Sequence, residues 1–400
     1  MRFVLGIVIF VLALLISIML HEAGHFVTAK KFHMKVTQFF VGFGQTLWSR
    51  VRGETEYGVK ALPFGGFVKI TGMTALEDVD PADEPRSFRR QPGWQRAIVL
   101  LAGSFMHFAL AFVLLFVLAV GIGLENDNTT TVGAVDKCVP ASAKALNALS
   151  LKCTAGLAKS PALLAGIQPG DKIISIAGAS VHSFSQVGTV LRNQPAGKPL
   201  AVVVERDGRQ LSLMLTPASV PGRKGPILGI ESAELFQRLG PVSAVAYAGS
   251  TFGEVLTGSA SAVAQLPGAL PDLFSPNRAK TAGGQVSSVV GVGETTGDVV
   301  AANIGWQAKV AIVLLIVISL NIFIGAFNLL PLLPLDGGHL AVVIYERIRA
   351  WLARLRGRPD PGLVDMQKLI PVSLGVFALL VGLGLLLIAA DIFNPVQLVQ

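Results

Sequence analysis

The sequence predicts a polytopic α-helical membrane protein with four transmembrane helices, and three observations carry that prediction. Hydrophobic residues fill 52% of the 400 positions and charged residues only 14%, well short of the roughly 25% charge of soluble domains. The apolar residues gather into four runs, each long enough for the ~20 helical residues that cross a hydrocarbon core. Basic residues cluster in alternate connections, as membrane orientation requires. The net charge of +8 follows that topology, and no nucleic-acid motif accompanies it, so nucleic-acid binding is set aside.

The first run, Phe3 to Leu20, is interrupted only by Ser17. With Arg2 before it, the run could pass for a signal peptide. It ends in His21-Glu22-Ala23-Gly24-His25 rather than in small cleavable residues, and is read as a retained helix. Ile98 to Leu124, Val310 to Leu335 and Leu369 to Ala390 supply the other three. The segment from Phe26 to Arg96 carries Lys30, Lys31, Lys35, Arg50, Arg52, Arg86, Arg89 and Arg90. The loop between runs three and four carries Arg347, Arg349, Arg354, Arg356 and Arg358. Both are expected in the cytosol, which places residues 125–306 outside. The chain divides into 1–124 with the first two spans, 125–218 and 219–305 outside the cytosol, and 306–400 with the last two spans.

His21 and His25 stand at i and i+4, so a helix presents both imidazoles to one metal. Glu22 lies beside the first of them, where a general base would take a proton from water. Ionisable groups inside a span cost about 2.5–3.5 kcal/mol each, so three of them need partners. A mere polar cap at the helix end has no need of this spacing. A catalytic zinc takes a third protein ligand and keeps one position open. Asp336 is the candidate, in Asn328-Leu-Leu-Pro331-Leu-Leu-Pro334-Leu335-Asp336-Gly337-Gly338-His339. Two prolines three apart break a helix, and irregular backbone at membrane depth belongs beside protein or a water-filled cavity. His21 and Asn328 each lie 18 residues into their runs, a depth of about 27 Å in both cases. A shared site toward the cytosolic side is permitted by this geometry, not required by it.

These residues resemble the site-2 protease family of intramembrane zinc metalloproteases, particularly bacterial members with a single PDZ domain. The resemblance spans most of the chain. It rests on His-Glu-Ala-Gly-His at the end of a first span, with Asn328-x-x-Pro331 and Leu335-Asp336-Gly337-Gly338-His339 in a later one. It implies Zn2+ held by His21, His25 and Asp336, Glu22 as general base, and Asn328 holding substrate backbone or the developing oxyanion. Phe40 to Gly44 and Tyr57 to Phe67 resemble the family's membrane-reentrant β-hairpin, whose edge could hold unwound substrate by strand addition. A cytosolic hairpin without substrate contact is the alternative. The sequence departs from the family at Leu333, where a second proline is usual, and at Ala102-Gly103-Ser104-Phe105-Met106-His107, where Ala-Gly-Pro-x-x-Asn is common. His107 either faces the site or bonds between helices; His339 either supports the metal ligands or is interfacial. His33 and His182 are read as surface residues.

Outside the cytosol, Thr131 to Pro217 resembles a PDZ domain, most clearly in Ser160-Pro-Ala-Leu-Leu-Ala-Gly-Ile-Gln-Pro-Gly-Asp171. Such a domain would filter substrates by size or merely pack. Strands are expected at Leu200–Glu205 and Gln210–Thr216 around Asp207-Gly208, a hairpin signal, with a helix over Ser185–Asn193. Cys138 and Cys153 are not a Cys-x-x-Cys pair, which argues against a thiolate metal site. On the oxidising side they are expected to bridge, with two free thiols as the alternative. Pro241 to Leu266 is expected to be helical, interfacial or a plain linker, and Ser275 to Gly297 a loop.

The resemblance implies hydrolysis of peptide bonds within single-span membrane proteins, such as anti-sigma factors already trimmed by another protease, inside the lipid bilayer. A zinc-binding membrane transporter would need a polar path that runs two and four lack. A catalytically inactive PDZ membrane scaffold fits poorly with intact Glu22, His21 and His25.

Overall fold

The computed structural model describes residues 2–73, 77–125, 129–142, 153, 156–233, 236–275, 278, 287–302 and 304–394. Helix α1 runs from Arg2 to Lys31, past the apolar run, so the His21–His25 segment sits on unbroken helix. The chain leaves it through His33 at φ 60 and enters two long antiparallel strands, β1 (Val36–Arg52) and β2 (Thr55–Ile70). Both bend midway. Phe39 to Val41 therefore pairs with Gly66 to Val68 on one side and with Tyr57 to Val59 on the other. Residues 66–70 become an outer strand alongside α1. Glu54 in the hairpin turn accepts bonds from Arg86 at 2.8 and 2.9 Å and from Lys30 at 2.6 Å. The Arg86 guanidinium, with Lys30, holds its carboxyl at about 2.

Helix α2 (Gly93–Val117) follows, ending in a wider turn at Leu118–Ile122. It crosses α1 closely: a Cβ on Gly24 would stand 2.5 Å from the Ala102 carbonyl. Small residues at a crossing are how membrane helices gain contact without hydrophobic driving force.

Residues 118–241 form a unit distinct from the one containing α1, α2 and the hairpin. Its elements are β3 (Leu124–Glu125), β4 (Val132–Val135), α3 (Pro161–Leu164), β5 (Lys172–Ile176), β6 (Ala179–Ser180), α4 (Phe184–Arg192), β7 (Leu200–Arg206), β8 (Arg209–Leu215), β9 (Ile230–Ser232) and β10 (Phe236–Gln237). A four-stranded sheet runs in the order β6-β5-β7-β8, while β4 pairs with β9 and β3 with β10. The expected β7–β8 hairpin and the expected helix are both present. Ser160 and Ser183 cap α3 and α4 through Leu163 and Gln186 N–H groups. Ile173, Ile176, Val187, Val202, Val204 and Leu228 are buried together. The sequence boundary at 218 thus falls within this core. Arg206 grips Asp171 through two bonds of 2.6 and 2.7 Å. Burial pushes the Asp171 carboxyl up, but Arg206 and the Gln168 N–H more than offset it and hold it below its ordinary value. Cys138 and Cys153 are bridged; residues 143–152 between them lie outside the described residues.

The first unit resumes with α5 (Pro241–Ala269), the helix expected there, and α6 (Val289–Ala301). Helix α6 corrects the expectation of a loop through Gly297. Its glycines are poor helix formers in isolation, yet Gly291, Gly293 and Gly297 are buried, and Gly293 and Gly297 face Phe10 and Phe3 of α1. Tertiary packing overrides local propensity. Helix α7 (Trp306–Asn328) also corrects its predicted end: the apolar run continues to Leu335, but the helix stops at Asn328. Residues 329–335 turn back through a cis Leu333–Pro334 bond. The basic connection after it is α8 (Asp336–Leu355), not a loop, and α9 (Ile370–Phe393) closes the fold. Among the described residues, four helical segments are long and apolar enough to cross a membrane: Arg2–Lys31, Gly93–Ile122, Trp306–Asn328 and Met366–Phe393.

Candidate metal centre

On α1, His21 and His25 lie one turn apart and are 8% and 4% exposed, with their Nε2 atoms 3.1 Å apart. Asp336 reaches them from the first residue of α8, a position where the helix dipole favours negative charge. Its Oδ2 stands 3.3 Å from each Nε2. What brings it there is the turn at 329–335, folded so tightly over the first turn of α8 that side chains at Gly337 and Gly338 would overlap the backbone of Leu329 to Leu333. Depth matching on two helices permitted this encounter; the turning back of the chain completes it.

The three atoms fit zinc. A tetrahedral ion with ligands at about 2.0–2.1 Å separates them by about 3.3–3.4 Å, against 3.1, 3.3 and 3.3 Å here. Asp336 Oδ2 is buried and receives no well-directed hydrogen bond, as expected of an oxygen kept for a cation. The His25 Nδ1–H donates to the Val99 carbonyl of α2 at 2.7 Å, which leaves a lone pair on Nε2, facing the other two atoms. Two histidine nitrogens and one carboxylate oxygen would fill three positions of a zinc ion and leave the fourth open, as a catalytic zinc requires.

Around this triangle stand groups that sequence reasoning missed. Glu22 Oε2 accepts a 3.0 Å bond from the Val68 N–H on the outer strand of the hairpin. A Cβ on Gly103 of α2 would overlap both imidazole rings, so the rings rest directly on that helix's backbone. A backbone amide has no sequence signature, and a glycine has one only when its neighbour is known. Asn321 was the legible omission, since an amide inside an apolar span needs partners. Its Nδ2 donates to Ser17 Oγ at 3.0 Å and to the Val317 carbonyl at 2.8 Å. Its Oδ1 is therefore the acceptor of the His107 Nδ1–H at 2.8 Å.

His107 thus bonds between helices, while its ring packs 5.0 Å from that of His21. It is not part of the His21, His25 and Asp336 cluster. His339 bonds its own helix at the Leu335 carbonyl, 3.1 Å away. His33 and His182 are exposed. Asn328 is half-buried at the end of α7, and among the described residues its side chain makes no hydrogen bond to the cluster.

Fold and site together bring two histidines and an aspartate together beside long apolar helices, with a second carboxylate next to them. A model of peptidase family M50 matches residues 9–358, and the chain belongs to that family, the site-2 proteases expected from its motifs. It is similar to the zinc metalloprotease Rip1 of Mycobacterium tuberculosis, 37% identical with all of both chains covered. Rip1 of Mycolicibacterium smegmatis is 36% identical, again over all of both chains. The metalloprotease MmpA of Caulobacter vibrioides is 29% identical, with 85% of each chain covered.

Proposed function

We propose that this zinc-dependent membrane metalloprotease binds its metal through His21, His25 and Asp336 and cleaves the transmembrane segments of single-span proteins. The convergence of three ligand atoms within 3.3 Å of one another carries the reading. Bound zinc supplies a Lewis acid that makes water nucleophilic at neutral pH and polarises the scissile carbonyl. Glu22, held by the Val68 N–H, takes the proton of the attacking water and delivers it to the leaving amine. Asn328 donates to the developing oxyanion.

The strand at residues 66–70 receives the unwound substrate backbone by strand addition. Exposed Leu47, Trp48, Val51 and Leu62 suit a hairpin lying against the membrane. The positive residues favour a cytosolic position for that hairpin and the metal centre, with residues 118–241 outside. There the sheet and its capped helices act as a PDZ domain that screens substrates by size. Single-span regulators such as anti-sigma factors, pre-cut outside by another protease, are the substrates this arrangement suits.

Purified, detergent-solubilised variants test the assignment. Asp336→Ala should lose both metal and cleavage of a single-span reporter, and Glu22→Gln should lose cleavage alone. Full metal occupancy in Asp336→Ala, or wild-type cleavage by Glu22→Gln, would refute these roles.

A further inference from the structure

Helix α8 carries Asp336 at one end and an unpartnered apolar stripe at the other. Ile344, Ile348, Trp351 and Leu355 are 50%, 51%, 56% and 65% exposed. At about 100° per residue they fall within about 60° of the helix surface. Arg347 and Arg354 flank the stripe on one side, while Arg349 is turned away from it and donates to the Pro361 and Gly362 carbonyls. The opposite face, Val343, Glu346 and Ala350, is buried. Between residues 337 and 359 stand five arginines and a single carboxylate, Glu346. That carboxylate is consumed internally, by Arg96 at 2.7 Å and the Val364 N–H at 2.8 Å. The exposed half of the helix is therefore apolar and cationic, with no compensating acid.

Arg347 packs against Gly93, the first residue of α2, so this part of α8 lies beside the start of that helix. The Val364 N–H bond to Glu346 also sets the foot of the last span beside α8, and that span exposes apolar side chains such as Val372, Leu374 and Phe377.

We propose that the C-terminal half of α8 is a docking surface for anionic lipid, its stripe seated at the headgroup–acyl boundary and its arginines on lipid phosphates. Charge complementarity selects this occupant. The cytosolic leaflet is anionic, and an exposed tryptophan among arginines is the composition of interfacial helices. The proposal rests on the cytosolic orientation given above. It makes the helix that begins with Asp336 a lipid-anchored element at its other end.

The test uses the full chain in vesicles of phosphatidylcholine, with or without phosphatidylglycerol. Cys138 and Cys153 are bridged and no free cysteine is present among the described residues, so Trp351→Cys offers a single thiol for a polarity-sensitive fluorophore. Emission should shift to the blue only with phosphatidylglycerol, and high salt should reverse the shift. Removing two charges in Arg347→Gln/Arg354→Gln should weaken the phosphatidylglycerol preference about 30-fold, while Arg347→Lys/Arg354→Lys should keep it. Equal emission in both lipids would overturn the proposal. So would a blue shift that depends on protein density rather than lipid charge, which would mean a second copy covers the stripe. The fluorescence requires no proteolysis, so a failed cleavage assay leaves this result standing, and the reverse also holds.

Discussion

Replacing Gly103 with alanine adds one methyl group at the floor of the metal centre. Built on the present backbone, that Cβ would overlap His21 Cε1 and His25 Nε2 and stand 2.7 Å from His21 Nδ1. Ordinary contact begins near 3.4 Å, so the rings must retreat by roughly 1 Å or α2 must move away. Moving α2 away would open the close Gly24–Ala102 packing at the neighbouring residue of each helix. The displacement therefore falls on the imidazoles. Metal ligands tolerate about ±0.2 Å, so the change exceeds tolerance several-fold. Zinc affinity should drop at least as far as on losing a ligand's supporting hydrogen bond, about 10–100-fold, and cleavage should fall with it. Because alanine favours a helix interior over glycine by about 1 kcal/mol, helix content should not decline. The assay is chelator titration of the purified variant beside circular dichroism. Wild-type zinc affinity with unchanged helicity would refute the seating of His21 and His25 on the α2 backbone.

Other perturbations separate proton transfer, unit stability and acid sensitivity. Val68→Pro removes the N–H that holds Glu22; an edge strand tolerates proline. Cleavage should fall about 10-fold or more, as for a lost bond to a charged group, with metal content unchanged. Cys138→Ser/Cys153→Ser opens a link of sequence separation 15 and should cost residues 118–241 about 3 kcal/mol in the chain-entropy model, read by thermal unfolding, without altering metal binding. Glu54 is held at about 2 against an ordinary 4.5. A depressed carboxylate stabilises above its unfolded value, and that contribution disappears as pH falls from about 4.5 through about 2. Hydrogen exchange of the hairpin should rise across that window in wild type and stay flat in Glu54→Gln; equal profiles would remove Glu54 as the cause.

The sequence by itself determined what depends on near neighbours or on composition. The i, i+4 spacing aligned His21 with His25 because a helix repeats every 3.6 residues. The apolar runs marked four spans because a bilayer core accepts little else. The β7–β8 hairpin followed from Asp207-Gly208, both at positive φ. Prolines 331 and 334 announced a broken backbone, although not that the chain would turn into α8.

Only the tertiary structure decided what joins distant residues through groups that carry no sequence mark. Asp336 lies 311 residues after His25, and its approach depends on the turn between α7 and α8. Val68 and Val99 act through backbone atoms that every residue possesses. Gly103 matters because of what rests on it, and α6 is helical because its glycines meet α1. In each case local preference was neutral or opposed, and the contact between elements carried the free energy that settled the outcome.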